Sequence, residues 1–150
     1  MSIEVVQFLA VMFTVLALVP GGAHLIELPN KMELDRDAYL TVQRIYRGWA
    51  LAGVALFGAL LTTFWLAILC RSQSTPLVFA SSAFVFLLIT LITFFVWVYP
   101  ANEATAQWTV ATDDFELLRA QWEYTHAANA ALTLLAVAAT TAASLAWTDR

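Results

Sequence analysis

Polar and apolar positions along this chain are segregated into blocks. No Asp, Glu, Lys or Arg occurs from Val5 to Ile26, from Gly48 to Cys70, from Ser72 to Asn102 or from Tyr124 to Thr148. Each block exceeds the roughly 20 apolar residues that a helix needs to cross about 30 Å of hydrocarbon. Lipid offers no partner to a backbone amide, so blocks of this kind form helices, whose hydrogen bonds are internal. The pattern predicts an all-α chain forming one domain over residues 1–150. It is expected to be an integral membrane four-helix bundle running up-down-up-down, with spans at about 4–28, 48–70, 77–99 and 124–147. Four crossings put both termini on the same side.

Local signals refine the elements. Pro20, Gly21 and Gly22 lie inside the first block, where a missing donor and two weak helix formers predict a kink, and the helix is expected to end at Pro29 or Asn30. A cleaved signal peptide is the rival for this block, but its leader, Met-Ser-Ile-Glu, is acidic where such leaders are basic. Asp35 or Asp37 is placed to cap a long second helix carrying Tyr39, Gln43, Tyr46 and Arg47 on one face. The third helix is expected from Pro76 to about Tyr99, with Pro100 ending or bending it. Asp113 and Glu116 have capping-box spacing ahead of the fourth helix, which is rich in small residues suited to close packing.

Composition sharpens the class. Of 150 residues, 61% are hydrophobic and 12% charged, where soluble domains carry about a quarter charged residues. The mean hydropathy is +0.76. The net charge of −4 comes with no basic patch beyond the short loops, which argues against nucleic acid as a partner. Cys70 is alone and reads as a small apolar residue at a helix end. Lys31, Arg36, Arg44, Arg47 and Arg119 fall on one side of the bundle and Arg71 and Arg150 on the other, so positive-inside counting puts the longer loops in the cytoplasm.

Ionisable groups gather at one end of the expected bundle. His24 and Glu27 are three residues apart on the first helix, and Glu123 and His126 repeat the spacing in reverse on the fourth. On antiparallel helices the two histidines can face each other at one depth. Glu-x-x-His is also the spacing used by carboxylate-bridged metal bundles, so His24, Glu27, Glu123 and His126 form a candidate ligand set for one metal ion, with iron preferred and zinc, copper or manganese as alternatives. The same histidines suit axial ligation of a haem, or metal-free general-base chemistry. Ion pairing to Arg47 or Arg119 is the structural alternative. Glu103 is the one further carboxylate close by. Trp49, Trp97, Trp108, Trp122, Tyr46, Tyr99 and Tyr124 crowd this end, as the lining of a pocket for a flat molecule or as an interfacial belt.

The segments "YPANEATAQW" and "LLRAQWEYTHAANAAL", with Pro100, Asn102, Arg119, Trp122 and His126 in a Pro-x-Asn and Arg-x-x-Trp-x-x-x-His pattern, resemble the anthrone-oxygenase-like family of small four-helix membrane proteins. "AHLIELPNK" to "YLTVQRIYRGWALAG" resembles the first half of a bacterial branch, so the resemblance covers most of the chain. Members linked to aromatic polyketide pathways oxidise anthrones to anthraquinones with molecular oxygen. The resemblance implies oxygen-dependent or redox chemistry at the His126 end and a bacterial inner membrane location, without fixing the substrate.

The combined expectation is a membrane oxidoreductase, an oxygenase acting on a lipophilic aromatic or quinone-like molecule. His24, Glu27, Glu123 and His126 would hold the metal. His126, Arg119, Asn102, Tyr46 and Arg47 would act on or orient the substrate, with Trp122 and Gln43 against the bound group. A haem-binding or electron-transfer subunit and a non-enzymatic structural or regulatory protein are the alternatives, and self-association into a homo-oligomer stays open.

Overall fold

In a computed structural model describing residues 2–148, the chain is entirely helical apart from turns. Helix α1 spans Ile3–Glu33, α2 Arg36–Gln43, α3 Gly53–Leu69, α4 Ser74–Thr93, α5 Tyr99–Ala104 and α6 Phe115–Ala146. Short 3₁₀ turns at Arg44–Tyr46, Trp49–Ala52 and Cys70–Ser72, and a π-turn at Phe94–Val98, join some of them. Four continuous helical stretches, Ile3–Glu33, Trp49–Ser72, Ser74–Ala104 and Phe115–Ala146, are long and apolar enough to cross a membrane. Asp149 and Arg150 lie outside the described residues.

Several boundaries differ from the sequence expectation, each for a local reason. Helix α1 passes uninterrupted through Pro20 and Pro29 and ends at Glu33. Its last turn is held from outside, because the Arg119 guanidinium donates to the carbonyls of Met32 (2.5 Å) and Leu34 (2.9 Å). The long second helix is broken. Asp35 caps α2 by accepting the Ala38 amide at 2.8 Å, but Gly48 turns left-handed at φ 89° and a separate helix follows. Glycine enters that region with no Cβ penalty.

The third span runs beyond Tyr99 and through Pro100 to Ala104. Pro100 has no amide to offer the carbonyl four residues before it, and the π-turn widens the helix where that donor is missing, with the Tyr99 amide bonding back to Phe94. The capping box at α6 does not form: Asp114 holds the cap position without a side-chain bond, and Glu116 lies 3.7 Å from Arg119 Nε instead.

The four long stretches pack as a ring, α1 on α3 and α6, and α4 on α3 and α6. Small side chains set the spacing. Ala130, Ala136, Ala139 and Ala143 of α6 are buried, and Gly21 lies against Ala130 so closely that a Cβ there would sit 3.4 Å from its Cα. At one end Val6, Ala10, Leu66, Cys70, Ala80 and Ala143 form a cluster, with Cys70 a buried free thiol. At the other end Tyr39, Val98, Ala101, Trp108, Phe115 and Trp122 form a second, aromatic cluster. Buried threonines inside the helices, among them Thr14, Thr63, Thr133 and Thr140, donate to the carbonyl four residues back, so their hydroxyls cost little in an apolar setting.

Candidate functional site

The aromatic end holds the polar groups. His24 on α1 and His126 on α6 face each other with ring centroids 4.3 Å apart and planes tilted by 33°. The Trp122 indole stands edge-on to both, at 4.8 Å from His24 and 4.2 Å from His126, one turn before His126 on its own helix. Tyr46 and Trp49 flank Gly48 and close over His24 at 4.5 and 5.7 Å. His24 is buried and its Nδ1 has no hydrogen-bond partner among the described residues. The pair is therefore surrounded by aromatic rings, with one imidazole nitrogen left unpartnered.

The two glutamates are engaged elsewhere. Glu27 accepts a hydrogen bond from the Tyr46 hydroxyl. Glu123, fully buried, pairs with the Lys31 ammonium at 2.5 Å and accepts the Tyr39 hydroxyl at 2.8 Å, and Gln43 donates in turn to that hydroxyl at 2.5 Å. Lys31 is 3% exposed, and its ammonium lies over the rings of Tyr46 (4.6 Å), Trp122 (4.7 Å) and Tyr39 (5.4 Å). Burial, reinforced by the Glu123 carboxylate, holds the Tyr39 phenol well above the usual tyrosine range. Burial and then the bond to Glu27 do the same for Tyr46.

The floor is built around Asn102, whose Oδ1 accepts both indole N–H groups, Trp108 at 2.9 Å and Trp122 at 2.8 Å. Trp108 reaches that position from a left-handed turn, with φ of 46°, 59° and 60° at Ala106, Gln107 and Trp108. Non-glycine residues enter that region at a cost of about 1–2 kcal/mol each. The burial of Trp108 and its bonds to Asn102 and Thr105 hold the turn in place.

Of the residues expected to form the site, the structure brings together His24, His126, Glu27, Glu123, Tyr46, Gln43, Trp122 and Asn102. Arg47 and Glu103 are exposed and join none of these contacts. Arg119 is buried but spends two of its donors on the end of α1, which makes it a helix cap at this site's edge. The aromatics divide: Trp108 and Trp122 are core, while Trp49, Trp97, Tyr99 and Tyr124 keep exposed faces. Lys31, which by sequence counts among the loop charges, lies inside the site. Its signal was present, since Lys31 stands four residues after Glu27 and seven after His24, on one helical stripe.

The expected ligands His24, Glu27, Glu123 and His126 share this end of the bundle, but not as a ligand group. Among the described residues no three His, Cys, Asp or Glu side chains are placed to hold one ion. A fixed ammonium already occupies the Glu123 carboxylate, and the imidazole nitrogen left buried without a partner among the described residues is His24 Nδ1. As a haem site the pair is too close, because imidazoles on opposite sides of one iron, with bonds of about 2 Å, hold their ring centres roughly 6 Å apart. No family model, curated protein or solved structure matches the chain.

Proposed function

We propose that the chain is an integral membrane protein, an up-down-up-down bundle, and that it oxygenates a lipophilic, weakly acidic aromatic molecule at the His24–His126 pair. The observation that carries this reading is the buried His24 Nδ1 without a partner, stacked on a second imidazole inside walls of Tyr46, Trp49 and Trp122. Buried polar atoms are nearly always bonded, so an unpartnered nitrogen among aromatic rings supports this as the place where a ligand binds.

The chemistry follows from the groups present. A neutral imidazole takes a proton from an activated C–H or O–H of the substrate. The resulting carbanion or phenolate is electron-rich enough to react with dioxygen. For a methylene between two aryl rings, one dioxygen gives the ketone and one water, so no external reductant enters. The aromatic walls hold a flat ring system, and the Lys31–Glu123 pair supplies a polar boundary on one side.

The two facing imidazoles would also suit a metal ion, which is the second reading; a metal held by His24 and His126 would supply oxygen activation. The test is oxygen uptake with anthrone by the purified, detergent-solubilised protein, run beside elemental analysis. His24→Ala and His126→Ala are expected to lower turnover by about 10²- to 10⁴-fold while helicity and monodispersity persist. Turnover unchanged in the double variant overturns the proposal. Stoichiometric metal lost in that variant shifts it to the metal-dependent form.

A further inference from the structure

We propose that Lys31 is the anion anchor of this niche, so that the ligand is a lipophilic weak acid, a phenol or enol, held as its oxyanion between the Lys31 ammonium and His24. The inference rests on the reading that an aromatic ligand occupies the histidine pair, and it adds the ionisation state in which that ligand is bound.

The geometry places the two groups on one feature. The Lys31 ammonium and the His24 ring each lie 4.5 to 4.8 Å from the Tyr46 and Trp122 rings, which are themselves 6.1 Å apart. Those distances confine the ammonium to within about 7 Å of the His24 ring, close enough for one bound oxygen substituent to contact both groups. The ammonium has three donors and one close acceptor, Glu123 Oε1, which it shares with the Tyr39 hydroxyl. Its other neighbours are the π-faces of Tyr39, Tyr46 and Trp122, which attract the charge without accepting a conventional hydrogen bond.

The remaining charges facing the group are few. Glu27 is turned onto Tyr46, and Arg119 sits beyond the Tyr39 ring at 5.1 Å, bonded to the end of α1. A purely structural ion pair would bury both partners with their bonding complete. Here Lys31 keeps unused donors and His24 keeps an unused nitrogen, both against the same two rings.

The test uses 4-nitro-1-naphthol, a flat phenol whose phenolate absorbs in the visible, added to the full-length protein in detergent, with empty micelles as the baseline. Binding is followed by tryptophan quenching and ionisation by the phenolate band across a pH series. An opposite charge close to a phenol favours its ionised form by about tenfold or more, and wild type is expected to show that excess over micelles. Lys31→Arg is expected to keep it. Lys31→Met/Glu123→Gln, which removes both charges and so avoids stranding either one, is expected to lose the excess while retaining the fold.

An excess that persists in the double charge variant, or an ionisation in wild type equal to that in micelles, overturns the inference. A Lys31-dependent phenolate without any oxygen uptake sustains the anchor and sinks the oxygenase reading. Oxygen uptake with no Lys31-dependent phenolate does the reverse.

Discussion

Removing the charge of Lys31 alone should destabilise the protein far more than removing both charges of its pair. The Lys31 and Glu123 side chains are 4% and 0% exposed, so neither charge has water to fall back on. Lys31→Met leaves a buried carboxylate with the Tyr39 hydroxyl as its one remaining donor, and Glu123→Gln leaves a buried ammonium among ring faces. Breaking a buried pair from one side costs about 3–5 kcal/mol, whereas replacing both partners by neutral groups of similar size is often close to neutral. The two single variants should therefore each lose about 3 kcal/mol or more, and Lys31→Met/Glu123→Gln should recover most of either loss. Equilibrium unfolding in mixed micelles, with SDS as denaturant and tryptophan fluorescence as readout, gives the three values and closes the cycle. Single losses below about 1 kcal/mol that simply add in the double variant would show the pair to be solvated and weakly coupled, and would refute the buried-pair argument.

Other consequences are equally direct. Asn102→Leu strands the indole N–H groups of Trp108 and Trp122 and should cost about 2–4 kcal/mol, with a changed tryptophan emission; unaltered emission and stability would mean that Asn102 does not hold the floor. Gly58→Ala puts a Cβ 2.5 Å from the Phe13 ring and should cost about 1–3 kcal/mol, while Gly22→Ala meets nothing within 4 Å and should be neutral or stabilising. Arg119→Gln should speed amide exchange over residues 30–34 by freeing the end of α1, and protection equal to wild type would remove its role as a cap. Because burial favours the neutral phenols of Tyr39 and Tyr46, both should stay protonated in the folded protein as pH rises past the ordinary tyrosine value of about 10. The folded state then holds more protons than the unfolded one, so stability falls above that pH; phenolate absorbance from all four tyrosines before unfolding would contradict it.

What could be read from the amino-acid order alone was the part governed by segment-length physics. Charge-free blocks longer than a membrane crossing announce four long helices, and His-x-x-Glu with Glu-x-x-His on two of them announces a polar end, because helical periodicity aligns residues three and four apart regardless of context. The facing of His24 and His126 was within reach of that reasoning, and their rings do stack. The fate of each carboxylate was not, because it depends on competition among neighbours from different helices. Glu123 went to Lys31 and Tyr39, Glu27 to Tyr46, and Arg119 to carbonyls 85 and 87 residues away. Pro100 signalled a bend at the end of the third span but not its π form, and the break at Gly48 interrupts what reads as one long second helix. Periodicity along one helix thus determined which residues share a face. Only packing between helices decided which charge meets which, because a buried charge binds the nearest partner in space, and separation along the chain does not encode that distance.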